Sequence, residues 1–511
     1  MCIRDRVHFV WTYDGSSNAD GMRLYQNGEA ITPDIQRNYI YRSTKPYLDK
    51  RASVYAHYRG LVIGNRHYDQ DFTGGQLDEL QILNQEAGAL VALYLYDVKK
   101  AEATFTTHVT QQQEQLDEFY DLFIDKNLAA ERMTLRAIQQ EEITTIDTVQ
   151  EIMVMRDFSE DRPTYILNRG LYDDKGEQVQ KNVPSSILVW PDSLPRNRYG
   201  LGQWLTHADH PLTARVAVNQ FWYLIFGKGI VETVEDFGNQ GALPSHPELL
   251  DWLAVDFQEN GWDVKRLLKQ MVLSATYRQS SKIRPELKEI DPDNVLLARG
   301  PRYRRSAEMI RDNILAASGL LTSSIGGPSV YPYQPDGLWK EAMTHPFFPE
   351  YEVDYDKGLY RRSIYTFWKR LMPPPNMLVF DASTRGECQV RRQRSNTPLQ
   401  ALVLLNDPQM IEGCRVLAEK TWRQAEGDIA QATQNAFRLL TSRLPNEREQ
   451  QILLQQYKDE LAYFNNHQQE AYAYIDVGQY KNSEDLPTTS IAALARVTNT
   501  IMNSTEGYYK N

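Results

Sequence analysis

From residue 209 to the end the chain carries one helix signal after another, and that succession constrains the fold more than any other feature. Val264, Leu267, Leu268, Met271 and Val272 recur at i, i+3, i+4, i+7 and i+8, the spacing that lines one face of an α-helix. Asp263 stands one residue ahead, where an N-cap belongs. Upstream, Ser245-His246-Pro247-Glu248 reads as a capping box, with Ser245 as N-cap and Glu248 three residues on. Leu249, Leu250, Leu253 and Phe257 make the inner face of that helix, and Gly261 stops it. Asp209-His210-Pro211 opens an earlier helix, capped by Asp209 and running through Val216, Phe221, Trp222 and Ile225. Further helices are expected near 306–318, 398–405, 408–420, 428–440, 446–463 and 488–503. The Gly-, Pro- and Tyr-rich stretch 325–360 reads as a long ordered loop, a kind of loop that is often functional.

The start of the chain has a different texture. Val7 to Tyr13 is apolar and aromatic, Asp14-Gly15-Ser16 turns, Met22 to Gln26 is a strand, and Asn27-Gly28 is a strong hairpin signal. Leu61 to Gly64 and Gln76 to Leu83 are expected as further short strands, as are Met153–Arg156 and Tyr165–Leu167. Between these regions, residues 86–160 carry a net charge of −9. Leu116, Phe119, Tyr120 and Phe123 recur there at helical spacing, which predicts a solvated helical arm.

The expected fold class is therefore multidomain: a β-segment over 7–85, an acidic helical linker arm over 86–150, and a mainly α-helical domain with a few short strands over 151–511. A length of 511 residues agrees with about three units. The net charge of −11 disfavours general nucleic-acid binding, and no apolar run is long enough for a transmembrane helix. The basic exception is 299–394, net +5. Cys2, Cys388 and Cys414 form no disulfide framework and no Cys-x-x-Cys-His haem motif. Cys414 shares a helical face with Met410 and Leu417 and reads as a core thiol.

Two resemblances follow from longer motifs. Tyr13-Asp14-Gly15, Gly21-x-Arg23-Leu24-Tyr25-x-Asn27-Gly28, Ile63-Gly64 and Phe72-x-Gly74-x-x-Asp78-Glu79 resemble the latter half of a laminin-G/concanavalin A-like jelly roll. Arg162-Pro163-Thr164-Tyr165, Thr213-Ala214-Arg215-Val216-x-Val218-Asn219-x-Phe221-Trp222, Asp236-Phe237-Gly238-x-Gln240-Gly241, Ser245-His246-Pro247-Glu248, Tyr360-Arg361-Arg362-Ser363 and Asn396-Thr397-Pro398-Leu399-Gln400 come in that order. Together they resemble the planctomycete-type domain of unknown function 1553, over about 150–511. That resemblance implies an exported protein, periplasmic or at the cell surface, whose longer relatives carry a c-type cytochrome-like module and a companion domain of unknown function 1549. Their chemistry is not established. Met1 to Arg6 looks like translated sequencing-adapter sequence. The expectation is that the natural N-terminus, with any signal peptide and any haem c, lies outside this fragment, which itself needs no cofactor and no metal.

Three groups of residues could carry chemistry. Arginines gather at Arg299, Arg302, Arg304 and Arg305, at Arg361 and Arg362, and at Arg391, Arg392 and Arg394, just before Asn396 at a helix start. A guanidinium fork binds carboxylate or sulfate in bidentate fashion. Arg305, Arg361, Arg362, Arg391, Arg392 and Asn396 are thus the candidate anion-binding set, although these arginines could equally pair internally with Asp236, Glu248, Glu308 and Asp381. Glu232, Asp236 and His246 are candidate catalytic residues, since paired carboxylates serve glycoside hydrolysis and a histidine can shuttle a proton. A structural hydrogen bond is the competing role for His246. Tyr333 and Trp339 in the long loop could stack on sugar rings, or pack that loop down. No Gly-rich phosphate loop, Gly-x-Ser-x-Gly elbow or His-Glu-x-x-His is present. The expected function is binding or presentation of extracellular, anionic polysaccharide. The alternatives are a glycan-degrading or glycan-oxidising enzyme, and a structural subunit of a cell-surface complex.

Overall fold

The computed structural model describes residues 6–35, 65–66, 70–71, 77–83, 86–106, 110–147, 149, 154–155, 162–339 and 351–510. The chain divides into two compact units, Met1–Arg156 and Asp157–Asn511.

In the first unit, β1 (Phe9–Tyr13), β2 (Met22–Gln26) and β3 (Glu29–Ile31) form an antiparallel sheet in the order β1-β2-β3. Asn27 (φ 53°) and Gly28 (φ 81°) make the tight turn between β2 and β3, the left-handed pair that a two-residue hairpin requires. Period two decides the faces. Thr12 and Tyr25 are buried while Phe9 and Trp11 are exposed. A two-residue ladder pairs β4 (Asn65–Arg66) with β5 (Gln70–Asp71). The helices are α1 (Ala89–Tyr96), α2 (Val98–Thr106), α3 (Thr110–Phe119) and α4 (Ala129–Asp147). A π-helical turn, Tyr120–Ile124, extends α3, with Phe119 and Phe123 stacked at 5.2 Å. Residues 77–83 are not a strand, nor are 154–155. The strand expected at Leu61–Gly64 lies outside the described residues. What this unit shows is small antiparallel sheets with helices; a two-sheet sandwich is not shown among the described residues.

The second unit opens with a hairpin, β6 (Thr164–Leu167) and β7 (Lys175–Val179), and is thereafter mainly helical. α5 (Arg198–Leu205), α6 (Thr213–Phe226), α7 (Pro247–Glu259) and α8 (Val264–Leu273) come first. Val218, Trp222, Phe226, Leu250, Leu253, Phe257, Leu267 and Met271 form their shared core, so the helical spacing seen in the sequence is the packing face. α9 (Pro285–Ile290), β8 (Tyr303–Arg304), α10 (Ala307–Ser318) and α11 (Pro375–Val379) follow. The remainder is α12 (Pro398–Asn406), α13 (Pro408–Gln424), α14 (Ile429–Thr441), α15 (Glu447–Asn466), α16 (Gln468–Ile475), α17 (Thr488–Asn503) and α18 (Thr505–Tyr508), ending in β9 (Tyr509–Lys510), which pairs with β8. α17 is the axis of the larger core. Its Ala492, Ala493, Leu494, Ala495 and Val497 are all fully buried, and small side chains on several faces let neighbouring helices approach closely.

Two caps differ from expectation. α6 starts at Thr213 rather than behind Asp209, because the ring of His210 does the capping: its Nδ1 accepts from Leu212 N (3.3 Å) and Thr213 N (3.2 Å). α7 starts at Pro247 with His246 at the N-cap position. Ser245 instead donates its hydroxyl to Ile230 O at 3.2 Å, since a tertiary carbonyl outcompetes the local helix terminus. Asp263 caps α8 as expected, accepting from Arg266 N at 3.0 Å. Cys414 is buried in the core and Cys388 is exposed, both as free thiols.

Candidate functional site

The C-terminal end of α6 and the loop after it build a cleft of about 380 Å³. That volume lies within the ~300–1,000 Å³ range of small-molecule sites. A second concavity, lined by Ala137, Gln140, Glu141, Thr144 and Thr145, is an open trough on one face of the single helix α4.

The floor of the cleft is held by one buried amide. Asn219, fully buried on α6, donates Nδ2 to Val231 O (3.0 Å) and accepts Val231 N on Oδ1 (2.8 Å). This pair imitates a strand ladder and fixes the path of Gly229-Ile230-Val231. A Cβ on Gly229 would lie 2.3 Å from Val231 O and 2.9 Å from the Asn219 amide nitrogen, so only glycine fits the bend. Gly227 ends α6 at φ 79°, with the Tyr303 ring packed where a side chain would point. The Tyr303 hydroxyl donates to the last α6 carbonyls, Leu224 O (3.0 Å) and Ile225 O (3.2 Å). Burial pushes its phenol up to about 12. One wall is a self-bonded loop. Buried Asp291 accepts from Val295 N (2.7 Å) and Leu296 N (2.9 Å), and Arg299 donates to Asp291 O at 2.9 Å.

Apolar surface comes from Trp222, Phe226, Tyr303, Val295 and Leu297, with Leu243 on the rim, 90% exposed. The charged lining is Lys228, Glu232, Asp293, Arg302 and Arg394, with His246. Lys228 and Glu232 pair at 3.0 Å. Arg394 donates to Gly227 O at 3.1 Å and stacks over the Tyr303 ring at 4.6 Å. Arg302 is exposed and has no hydrogen-bonding or ionic partner among the described residues. His246 Nδ1 lies 2.9 Å from Ser245 Oγ, which leaves Nε2 for a ligand. The arrangement can hold an anion on guanidinium and ammonium groups against an apolar floor, with a histidine and two carboxylates in reach of one volume.

The structure thus brings two of the three candidate catalytic residues, Glu232 and His246, to one cleft. Asp236 is outside its lining and accepts from Gly238 N at 2.7 Å in its own turn. The expected anion set is dispersed. Arg361 is buried, donates to Pro328 O at 2.7 Å and to Gly326 O, and lies 3.9 Å over the Tyr365 ring. Arg305 donates to Gly507 O at 3.0 Å, and burial lowers its pKa. Arg392 reaches both Glu308 oxygens, at 2.9 and 2.7 Å. Burial works to raise the Glu308 carboxyl, but the Arg392 contact and further hydrogen bonds outweigh it and the net shift is down. Arg391 pairs with Glu235 at 2.6 Å on the surface. Arg362 and Asn396 are exposed, and the helix after Asn396 is closed by a Thr397/Gln400 capping box. Arg304 is paired with Asp381 in the interior.

The aromatic candidates are packed inward. Tyr333 donates to Glu412 at 3.2 Å and accepts from Gln479 N at 2.7 Å. Trp339 is buried against Tyr351 and Phe367, with the Lys369 ammonium 4.2 Å over its ring. Phe347 and Phe348 of the same loop lie outside the described residues. Lys228 and Asp293 were missed as site residues. Their only local signals are the Gly227-Lys228-Gly229 turn and the Asp293-Asn294 turn, which say nothing of what they face.

Among the described residues no group of three or more His, Cys, Asp or Glu is placed to hold a metal ion, and no helix is long and apolar enough to cross a membrane. No curated protein and no solved structure matched the chain. The family profile PSD1, described as protein of unknown function (DUF1553), matches residues 197–457, a span that holds α6, Asn219, the whole cleft and Arg394. The match takes in just over half of the chain, so the chain belongs to the PSD1 (DUF1553) family.

Proposed function

We propose that the cleft at the end of α6 binds an acidic sugar unit of an extracellular polysaccharide. The observation that carries this reading is the convergence of Arg302, Arg394 and Lys228 with an apolar floor of Trp222, Phe226 and Tyr303 in one enclosed volume. The guanidinium groups meet the carboxylate or sulfate, and the apolar floor meets the C–H face of the ring. The β-segment over 7–85, read as part of a concanavalin A-like fold, would add a second contact with the same polymer. The test uses the full chain mixed with neutral, uronic-acid and sulfated polysaccharides on size-exclusion chromatography with sugar detection. Co-elution with acidic but not neutral polymers, lost in Arg302→Ala, is the expected result. Co-elution with neither, or equally with both, overturns it.

A second reading, cleavage of that polymer, is favoured by one observation: Glu232, Asp293 and His246 line the same cleft, which is the supply of acid and base groups that glycoside hydrolysis uses. In the same experiment it appears as a polymer peak moving to smaller size, abolished by Glu232→Gln.

A further inference from the structure

We infer that the site is longer than the cleft: residues 390–394 extend it as a cationic strap, and the ligand is a linear polyanionic glycan of several units. This rests on the reading that the cleft itself takes an acidic sugar unit. Arg394 fixes the strap to the cleft edge through Gly227 O at 3.1 Å. Val390 O accepts from Gln220 Nε2 at 3.1 Å, which lays the other end along α6. Arg391 and Arg392 stand between these anchors, and the three residues from 391 to 394 reach at most roughly 10–11 Å. The cation series therefore begins at the cleft edge with Arg394 and runs back along the strap through Arg392 and Arg391.

The two inner arginines differ in availability. Arg392 is committed to both oxygens of Glu308, whose carboxylate is largely covered. The Arg391–Glu235 pair is a single contact at 2.6 Å between side chains 48% and 41% exposed. Such a pair is weak and screened by salt, so Arg391 can exchange Glu235 for a ligand anion at little cost. The strap itself, Val390 to Arg394, carries three arginines and no acidic residue in a chain of net −11, which favours a polyanion at this place.

The test is calorimetric titration of the full chain, at low ionic strength, with galacturonic acid and its linear oligomers up to the hexamer. Affinity is expected to rise with length. In Arg391→Ala the ratio of hexamer to monomer affinity should fall about fivefold, the effect of one exposed charge contact. In Glu235→Gln, which frees Arg391 of its competitor, hexamer affinity should rise, a gain that misfolding cannot imitate. Arg302→Ala should weaken every length alike. If the monomer binds, Arg302→Ala weakens it, and neither strap variant changes the length dependence, the strap inference is overturned while the cleft reading stands. If no length binds, both fall.

Discussion

Replacing Asn219 with alanine removes the hinge pin of the cleft. The side chain is fully buried and serves both backbone groups of Val231, at 2.8 and 3.0 Å. Alanine leaves one amide N–H and one carbonyl buried without partners. Each such group costs about 1–3 kcal/mol, and partial relaxation of the Gly229–Val231 bend recovers some of it, so about 2–4 kcal/mol of local stability is lost. The loss is local to the cleft, so the assay is hydrogen exchange read peptide by peptide. Amides in 228–246 should exchange roughly 30- to 1,000-fold faster, while those of α17 stay as they were. Asn219→Asp separates the two bonds: it can still accept from Val231 N, but cannot donate to Val231 O and buries a carboxylate. If 228–246 in Asn219→Ala exchanges within about threefold of the parent, the loop is held by something other than this amide.

Three further outcomes are expected. His210 caps α6 through an unprotonated Nδ1, and burial lowers its pKa below the usual histidine value. The unfolded chain therefore takes up this proton first, so the contribution is complete above about pH 6.5 and declines as pH falls toward the depressed folded pKa. His210→Ala should cost about 0.5–2 kcal/mol at neutral pH and reduce the acid-side loss seen in thermal melts between pH 6.5 and 5; an unchanged slope counts against the cap. Gly227→Ala places a Cβ 2.5 Å from the Tyr303 ring at φ 79°. It should lower stability by about 1–3 kcal/mol in thermal denaturation, and an unchanged melting temperature would contradict the packing. Arg391→Ala, by contrast, breaks only an exposed pair and should change stability by less than about 1 kcal/mol, measurable by the same melts.

Much of the C-terminal half was legible because its signals are local. Helices expected at 398–405, 428–440, 446–463 and 488–503 are found at Pro398–Asn406, Ile429–Thr441, Glu447–Asn466 and Thr488–Asn503. Asp428 and Asn446 cap the middle two from within three residues, an interaction that needs nothing beyond the neighbouring backbone. Two caps fall elsewhere: Asp209 yields to the neighbouring His210 ring, and at Ser245 a remote group enters. Ser245 answers Ile230 O, fifteen residues back, and no local pattern announces that. The α5 and α16 helices were not anticipated, since short segments carry too few turns for an apolar period to show.

The candidate site divides along the same line. That arginines gather within 299–394, and that the region is basic in an acidic chain, could be read from residue order. Which guanidinium stays available could not. Arg305 reaches Gly507 O, 202 residues away, and Arg361 turns to the carbonyls of Gly326 and Pro328. Arg302 and Arg394 instead face a cleft shared with Lys228, Asp293 and His246. Helix caps, turns and amphipathic faces are decided by neighbours a few residues apart, and the sequence determines them by itself. A guanidinium donates to whatever acceptor the folded chain brings within reach, so its role as ligand contact or internal brace belongs to the tertiary structure alone.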